Sequence, residues 1–310
     1  MNETLSVPVI DLTAPGGDLY NACRDWGFFQ VINHGISAAL IDRVWAETRS
    51  FFLLPEPDKA NIRRSRDNPW GWYDRELTKN RQDQKEVFDF TVETATGSTP
   101  FTGANRWPAG RDDFRQAMLD WFSAMERLSS RLLSSLSTQL GVESGRLQEV
   151  HGKPHTSFTR LNYYPLTKNP GDDGQPLLGI HPHADAGSIT LLLQDDVPGL
   201  EVYRDGRWFP VHPRRDALVI NIGDMLQVWT NDRFKAPLHR VLPSRDRERF
   251  SIPFFFNPAY NAQIAPLPEL LTTEQAAYQP FTWGEFRRRR ADGDFADYGS
   301  EVQINDYRIA

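Results

Sequence analysis

The stretch HPHADAGSITLLLQDDVPGLEVYRDGRW, residues 181–208, changes character within a few positions. It opens with two histidines and an aspartate inside five positions, and it continues with short runs of β-forming residues separated by PG and DG dipeptides. Such dipeptides are typical of turns between strands. Side chains of the kinds that bind metals therefore stand where a predicted strand begins.

The same strand pattern extends on both sides of this stretch, from about residue 157 to residue 257. The short runs of β-branched and aromatic residues are SFTRLNYY, SITLLLQ, LEVY, RWFPV, ALVINIG, LQVW, HRVLP and RFSIPFFF. Closely spaced strands without helical patterns between them favour an antiparallel sandwich or barrel. The sequence thus predicts a β-rich core in the second half of the chain.

Helical patterns flank this core. Ser37 is expected to cap a helix that begins AALIDRVW. Apolar residues recur every three or four positions from Phe114 to Leu136, and Gly141 follows as a C-terminal cap. A further helix is predicted in TTEQAAYQPFTWGEFRRRRADG, residues 272–293. The expected fold class is therefore α+β with a mainly β core.

We expect one domain over residues 1–310, because no linker rich in Pro, Gly or Ser divides the chain. Residues 1–155 are predicted to form a mainly helical N-terminal region. Residues 156–260 are predicted to form the β core with the metal site, and residues 261–310 a C-terminal helix and tail. A chain of this length can bury a sizeable apolar core.

Composition and charge exclude several classes of partner. The net charge of −6 gives no electrostatic reason to expect nucleic acid. No window approaches the ~20 apolar residues of a membrane span, and the N-terminus lacks the pattern of a secretory signal. Cys23 is the only cysteine, so a metal must be held by His, Asp or Glu. We therefore expect a cytoplasmic protein that acts on a small molecule, and no feature demands more than a monomer.

Three side chains are candidates for a metal site. His183 and Asp185 stand two positions apart, so they share a face if their segment is extended. His239 stands at the start of another predicted strand and is the candidate third ligand. Two imidazoles and one carboxylate leave three metal positions open, as in Fe(II) sites that bind a bidentate co-substrate and O₂. The H-x-D triplet alone is more typical of a surface turn.

A second pair of residues points to an anion. Arg249 and Ser251 also share a strand face by the period of two. A guanidinium and a hydroxyl inside a sheet are costly unless they meet an anion, and a carboxylate satisfies both. Tyr164, on the predicted strand RLNYYP, is a candidate for a further donor.

With these residues in place, the chain resembles the Fe(II)- and 2-oxoglutarate-dependent dioxygenases, in the branch that includes isopenicillin N synthase and plant flavonoid oxygenases. The resemblance covers most of the chain, with its segments in the family's order. These segments are VPVIDL, CRDWGFFQVINHGI, NYYP, HADAGSITLLLQDDVPGLEV, INIGDMLQVWTN, HRV and RFSIPFFFNP. The chain departs from many relatives at Ala184, where they have threonine, and this change is expected to spare the metal.

The resemblance implies a role for each candidate residue. His183, Asp185 and His239 would bind Fe(II), and Arg249 and Ser251 would hold the distal carboxylate of 2-oxoglutarate with help from Tyr164. The implied fold is a double-stranded β-helix, or jelly roll, flanked by helices. The implied reaction consumes O₂ and 2-oxoglutarate, releases succinate and CO₂, and oxidises a small-molecule substrate, most often by hydroxylation.

The substrate itself is not specified by the sequence. By the same resemblance, Phe254, Phe256 and His181 are the substrate-binding candidates, although aromatic residues there could equally belong to the core. The run Arg287–Arg290 is interpreted as a solvated helix face that complements the helix dipole. Relatives act on amino acids, peptides, flavonoids, alkaloids and hormones, which is typical of specialised metabolism.

Three other functions stay open at this point. An isopenicillin N synthase-like oxidase would keep the iron ligands and use Arg249 and Ser251 for its substrate, without 2-oxoglutarate. A zinc-dependent hydrolase could also use two histidines and one carboxylate. A non-catalytic binding module would have lost a ligand, whereas all three candidates are present.

Overall fold

The computed structural model of the chain describes residues 6–14, 18–92, 104–152, 154–166, 178–271, 275–293 and 302–309. Its helices are α1 (Leu19–Asp25), α2 (Ala38–Phe52), α3 (Glu56–Ala60), α4 (Asp112–Gln139), α5 (Asp224–Trp229) and α6 (Trp283–Gly293). Single 3₁₀ turns cover Arg146–His151, Pro268–Leu270 and Ile304–Tyr307. No helix among these residues has an apolar stretch that would span a bilayer.

Sixteen strands accompany the helices in the described part of the chain. They are β1 (Val9–Asp11), β2 (Phe28–Ile32), β3 (Gly71–Tyr73), β4 (Leu77–Thr78), β5 (Arg81–Gln82), β6 (Glu86–Phe90), β7 (Phe158–Tyr164), β8 (Ile180–His183), β9 (Ile189–Gln194), β10 (Leu200–Arg204), β11 (Arg207–Pro210), β12 (Ala217–Ile222), β13 (His239–Val241), β14 (Arg249–Phe256), β15 (Gln263–Ile264) and β16 (Phe281–Thr282).

Two sheets form the β core. The larger has the order β1-β2-β12-β9-β14-β7-β6-β3, and the smaller has the order β11-β10-β13-β8. All pairs in them are antiparallel except β1 with β2. From β7 to β14 the chain passes repeatedly between the two sheets, which is the connectivity of a jelly roll. The predicted α+β class with a jelly-roll core and flanking helices is confirmed.

The predicted helix signals also appear in the structure. The Ser37 hydroxyl accepts a hydrogen bond of 3.3 Å from the backbone N–H of Leu40 at the start of α2. Helix α4 ends just before Gly141, whose φ of +78° suits a residue without Cβ. The apolar stripe of α4 is buried in the main hydrophobic cluster, together with side chains of α2 and the large sheet.

Several predicted elements were wrong or incomplete. The run LQVW forms part of α5 and not a strand. Because every residue of α5 is buried, the sequence has no amphipathic period there that distinguishes a helix from a strand. Residues 275–280 are not helical, and α6 begins only after Pro280. Residues 272–274 lie outside the described residues. The N-terminal region is helical but also adds β1, β2, β3 and β6 to the large sheet.

Candidate metal centre and co-substrate pocket

The structure brings the three candidate metal ligands together. His183 and His239 are register partners on β8 and β13, and Asp185 follows β8 in the next loop. Their ligand atoms all lie within 4.8 Å of one another. Oδ1 of Asp185 is 3.6 Å from Nε2 of His183 and 3.7 Å from Nε2 of His239. Three ligand atoms therefore converge on a single point at the edge of the small sheet.

Backbone carbonyls fix which nitrogen of each imidazole is free. Nδ1 of His183 donates to the His181 carbonyl at 2.8 Å, and Nδ1 of His239 donates to the Pro237 carbonyl at 3.2 Å. Because a carbonyl only accepts hydrogen bonds, each Nδ1 carries a proton, which leaves Nε2 as the ring nitrogen that can bind a metal. Burial, and then the proximity of His239, lower the pKa of His183 to about 3, so this imidazole is neutral at pH 7.

The Asp185 carboxylate is held by two buried donors. Its Oδ2 accepts hydrogen bonds from the Asn221 amide at 2.8 Å and from the Thr190 hydroxyl at 2.5 Å. Burial alone would raise the pKa of Asp185, but His239, His183 and these two donors together hold it below its usual value. The carboxylate is therefore ionised, with Oδ1 directed toward the two imidazoles.

The loop that carries Asp185 rests on the start of α5. The backbone N–H groups of Asp224 and Met225 donate to the carbonyls of Asp185 and Gly187 at 2.8 and 3.0 Å. A Cβ on Gly223 would lie 2.3 Å from the Gly187 carbonyl oxygen, so no side chain fits at that contact. Gly223 and Asp224 thus fix the backbone of the loop that carries Asp185.

One cavity of about 210 Å³ connects the metal centre with the Arg249 side of the jelly roll. Arg249 is 1% exposed, and its Nε and Nη2 donate to the Val197 carbonyl and the Gln194 amide oxygen, both at 3.3 Å. Its Nη1 is buried and has no hydrogen-bond partner among the described residues. A guanidinium N–H group is therefore available on the cavity wall, as a buried carboxylate would require.

Tyr164 and Ser251 lie beside this guanidinium. Arg249 pairs with Tyr164 across β14 and β7, and its Cζ is 4.9 Å from the centroid of the tyrosine ring. The Tyr164 and Ser251 hydroxyl oxygens are 3.4 Å apart, and the Asn162 amide donates to the Ser251 hydroxyl at 3.2 Å. Arg249, Ser251 and Tyr164 thus form one polar group on the cavity wall.

The substrate candidates Phe254 and Phe256 lie away from the cavity. Both are buried in the main hydrophobic cluster, and neither lines the cavity. Because residues two apart share a strand face, the face of Arg249 and Ser251 continues with Pro253 and Phe255, which do line the cavity. Nearly every residue of β14 is buried, so the polarity of the sequence did not show which face of the strand lines the cavity.

His181 is near the metal centre but does not line the cavity. Its ring Nδ1 is hydrogen bonded to Oδ1 of Asp83 at 3.0 Å, and its backbone N–H donates to the same oxygen at 3.2 Å. The structure therefore directs the His181 ring toward Asp83. His181 instead supplies the carbonyl that orients His183.

The arginine run of α6 is not only a solvated face. Arg287, Arg289 and Arg290 line the cavity, and Arg290 is 9% exposed. Nη2 of Arg290 donates at 3.2 Å to the carbonyl of Ala184, the residue between the candidate ligands His183 and Asp185. Arg288 and Arg289 are exposed, as the interpretation of a solvated face expects, but the docking of α6 onto the cavity was not visible in the pattern.

Comparisons with known proteins agree with this geometry. A family model of the 2OG-Fe(II) oxygenase superfamily matches residues 155–258, and a model described as "non-haem dioxygenase in morphine synthesis N-terminal" matches residues 7–110. Jasmonate-induced oxygenase 2 of Arabidopsis thaliana is 32% identical over 298 residues, which cover 91% of this chain and 78% of that protein. The chain belongs to the 2OG-Fe(II) oxygenase superfamily.

Other members of the superfamily show the same extent of similarity. Flavanone 3-dioxygenase 2 of Oryza sativa subsp. japonica is 32% identical over 296 residues, covering 91% of this chain and 83% of that protein. A crystal structure of JOX2 in complex with 2OG, Fe and JA superposes with a TM-score of 0.85 and 30% identity, covering 99% of this chain and 90% of that one.

Membership defines the reaction class of this oxygenase. It is a 2-oxoglutarate-dependent oxygenase that uses Fe(II) and O₂, so the expected family, enzyme class and cofactors are confirmed. The alternative of an oxidase that works without 2-oxoglutarate is not favoured by these relatives.

Proposed function

We propose that His183, Asp185 and His239 bind the Fe(II) ion of this oxygenase, and that Arg249, Ser251 and Tyr164 bind the distal carboxylate of 2-oxoglutarate. The observation that carries the proposal is the buried Nη1 of Arg249, which has no hydrogen-bond partner among the described residues. A buried charged donor without a partner is costly. A carboxylate in the cavity would satisfy it, and the same cavity reaches the three ligand atoms.

Some residues of the chain would bind the metal, and others would exclude water from the cavity. Bound Fe(II), with 2-oxoglutarate and O₂, supplies the oxidising chemistry, in which the keto acid becomes succinate and CO₂. The Nε2 atoms of His183 and His239 and Oδ1 of Asp185 would offer three ligands on one side of the ion. Apolar side chains, including Leu192 and Val241, line the cavity and would exclude water from the keto acid.

We propose hydroxylation of a small organic molecule as the reaction. In that reaction a substrate C–H bond becomes C–OH, with one oxygen atom of O₂, and the other atom enters succinate. The size of the cavity, about 210 Å³, supports a small substrate. The JOX2 crystal structure with JA shows a relative that binds such a molecule beside 2OG and Fe.

A turnover assay tests this function, with controls that each omit Fe(II), 2-oxoglutarate or O₂. We expect purified protein with Fe(II), 2-oxoglutarate, O₂ and a substrate to form product and succinate in equal amounts. Product without succinate would instead support the isopenicillin N synthase-like alternative. Product formed with zinc and without O₂ would support a hydrolase.

We further propose that residues 1–310 form one oxygenase domain that acts as a monomer. The net charge of −6 supports a function without nucleic acid, and the expected cytoplasmic location stays a prediction. Size-exclusion chromatography with light scattering measures the mass of the particle. A mass of one chain, 35.5 kDa, is expected, and a multiple of it would contradict the monomer.

A further inference from the structure

The strand that carries the candidate ligand His183 pairs irregularly with its neighbour. Strand β8 stands at the edge of the small sheet, next to β13. The register partners at its two ends are Ile180 with Val241 and His183 with His239. Between them, His181 and Pro182 of β8 stand opposite the single residue Arg240, which is the count of a β-bulge. A bulge interrupts the ladder of hydrogen bonds, so the ladder alone does not fix the His181 carbonyl that orients His183.

Asp83, in the segment between β5 and β6, holds His181 from the open edge of this sheet. Its Oδ1 accepts a hydrogen bond of 3.2 Å from the backbone N–H of His181 and lies 3.0 Å from Nδ1 of the His181 ring. The next residue, Gln84, donates its backbone N–H to the Leu178 carbonyl at 3.0 Å. One oxygen atom thus holds both the main chain and the side chain of His181, and a further bond joins the two segments.

The other oxygen of Asp83 is fixed as well. Oδ2 accepts a hydrogen bond of 2.7 Å from the Thr78 hydroxyl and lies 3.0 Å from Nζ of Lys85. Burial alone would raise the pKa of Asp83, but Lys85, His181 and Thr78 together hold it below its usual value. The carboxylate is therefore ionised, and Nδ1 of His181 is the donor because such a group only accepts hydrogen bonds. With both oxygens held, Asp83 offers His181 an acceptor in a fixed position.

Asp83 belongs to a buried group of charged side chains. The acids of this group are Glu76, Asp83 and Asp89, the bases are Arg64, Lys85 and Arg160, and ion pairs of 2.7 to 3.0 Å join them. Asp83 is the acid that bonds to His181, whereas Asp89 bonds to Arg64 and Arg160. Both aspartates are 2% exposed. Asp89 is therefore a matched control for Asp83, with equal burial and charge but a different contact.

We propose that Asp83 is a positioning residue for the metal centre and acts through His181 on His183. Asp83 fixes His181, and the His181 carbonyl accepts the Nδ1–H of His183 at 2.8 Å. This pair of contacts directs Nε2 of His183 toward the metal. A hydrogen-bond partner behind a metal-binding imidazole orients the ring and strengthens its bond to the metal. The inference rests on the proposed function, because it concerns one of the same three ligands.

Metal binding by two aspartate variants tests the proposal. Calorimetry on the full chain measures the Kd for Mn(II). We expect Asp83→Ala to raise this Kd about 10-fold, the low end of the range for partners of metal ligands, because Asp83 acts through one further residue. Asp89→Ala removes an acid from the same buried group and should keep the wild-type Kd. Both variants should lose stability, since each leaves buried bases with one partner fewer.

Two variants of His181 test the side-chain contact without a change of buried acid. His181→Asn keeps an N–H donor close to the place of Nδ1 and should retain most of the affinity for Mn(II). His181→Leu lacks this donor and should bind Mn(II) more weakly. The visible spectrum of the Co(II) protein depends on ligand geometry, so it should change in Asp83→Ala and His181→Leu but not in Asp89→Ala. A thermal melt of each variant shows whether it folds.

The outcomes separate this inference from the proposed function. Wild-type affinity in a folded Asp83→Ala protein, or an equal loss in Asp83→Ala and Asp89→Ala, would overturn the positioning role. If Asp83→Ala does not fold, equal affinities of His181→Leu and His181→Asn would overturn it. The proposed function would still stand in these cases if His183→Ala abolished Mn(II) binding. Wild-type affinity in His183→Ala would instead overturn the proposed function.

Discussion

The side-chain amide of Asn221 donates a hydrogen bond of 2.8 Å to Oδ2 of Asp185, the oxygen that points away from the two imidazoles. The Thr190 hydroxyl donates to the same oxygen from the neighbouring strand, so both donors occupy one side of the carboxylate. Oδ1 is then left to face His183 and His239. Asn221 is therefore a positioning residue for the candidate metal centre, acting through Asp185.

Loss of the Asn221 amide is expected to weaken metal binding. Asn221→Ala leaves the carboxylate held by Thr190 alone, and loss of a partner behind a ligand typically weakens metal affinity by ~10- to 100-fold. Calorimetric titration with Mn(II) measures the change. Thr190→Ser keeps its hydroxyl and is the control that should retain wild-type affinity. Unchanged affinity in a folded Asn221→Ala variant would show that Asp185 does not need this donor.

Removal of the Arg249 guanidinium should act mainly on 2-oxoglutarate. We expect Arg249→Gln to raise the KM for 2-oxoglutarate by about 10- to 100-fold, because hydrogen bonds to charged groups contribute ~1.5–3 kcal/mol. Steady-state succinate formation gives the KM. Arg247→Gln is the control, since Arg247 forms an exposed ion pair with Asp196 on the surface. If Arg249→Gln kept the wild-type KM, the assigned role would be wrong.

Adjacent phenylalanines of β14 should separate stability from substrate binding. Phe254 is fully buried against Phe122 of α4, with ring centroids 5.1 Å apart, so Phe254→Ala should lower the free energy of unfolding by ~3–5 kcal/mol. Phe255 lines the cavity, so Phe255→Ala should cost less stability and raise the substrate KM. Urea unfolding and substrate kinetics measure the two effects. The reverse pattern would mean that Phe254, and not Phe255, faces the cavity.

A buried histidine outside the set of candidate ligands should make stability depend on pH. Burial, and then the nearby charge of His155, lower the pKa of His151 to about 3. The unfolded chain takes up this proton near its ordinary pKa of about 6.5, so the folded state loses stability as pH falls below that value. One such group gives a slope of about 1.4 kcal/mol per pH unit.

The variant His151→Phe removes this titrating group together with its 2.9 Å hydrogen bond to the Ser188 hydroxyl, and the phenylalanine can still stack on Phe256, where the two rings are now 4.2 Å apart. We expect urea unfolding of metal-free protein between about pH 6.5 and pH 5 to show that the free energy of unfolding falls less steeply with pH in the variant than in wild type. The difference in slope should correspond to the uptake of one proton. Parallel curves for the variant and wild type would mean that His151 does not stay neutral in the folded state.

Much of the jelly roll was predictable from local patterns. Strand runs separated by turns gave seven of the eight core segments, since period-two alternation and turn dipeptides are local properties. The failures lie where burial is uniform. In β14 both faces are covered, so hydrophobicity did not separate Phe254 from Phe255; counting by two from Ser251 would have chosen Phe255. In α5 every side chain is buried, so the apolar run LQVW fits the pattern of a buried strand as well as that of a helix.

The candidate site was predictable only in part. His183 and Asp185, and likewise Arg249 and Ser251, were visible as two-residue spacings in the sequence, although Asp185 lies in the loop after β8. Asn221 is a polar residue in the otherwise apolar run ALVINIG, which is a signal, but its partner lies on a different part of the chain. Strand order and register decide such contacts, and a single sequence does not specify them. The cavity-facing arginines of α6 depend in the same way on how the helix docks.

The central claim, one Fe(II) ion held by His183, Asp185 and His239, is tested most directly by anomalous diffraction. Crystals grown without oxygen, with Fe(II) and 2-oxoglutarate, are measured on both sides of the iron absorption edge. We expect the strongest anomalous peak between Nε2 of His183, Nε2 of His239 and Oδ1 of Asp185, with the distal carboxylate of 2-oxoglutarate against Arg249. An iron peak elsewhere in the molecule, with these three side chains not bound to metal, would contradict the account.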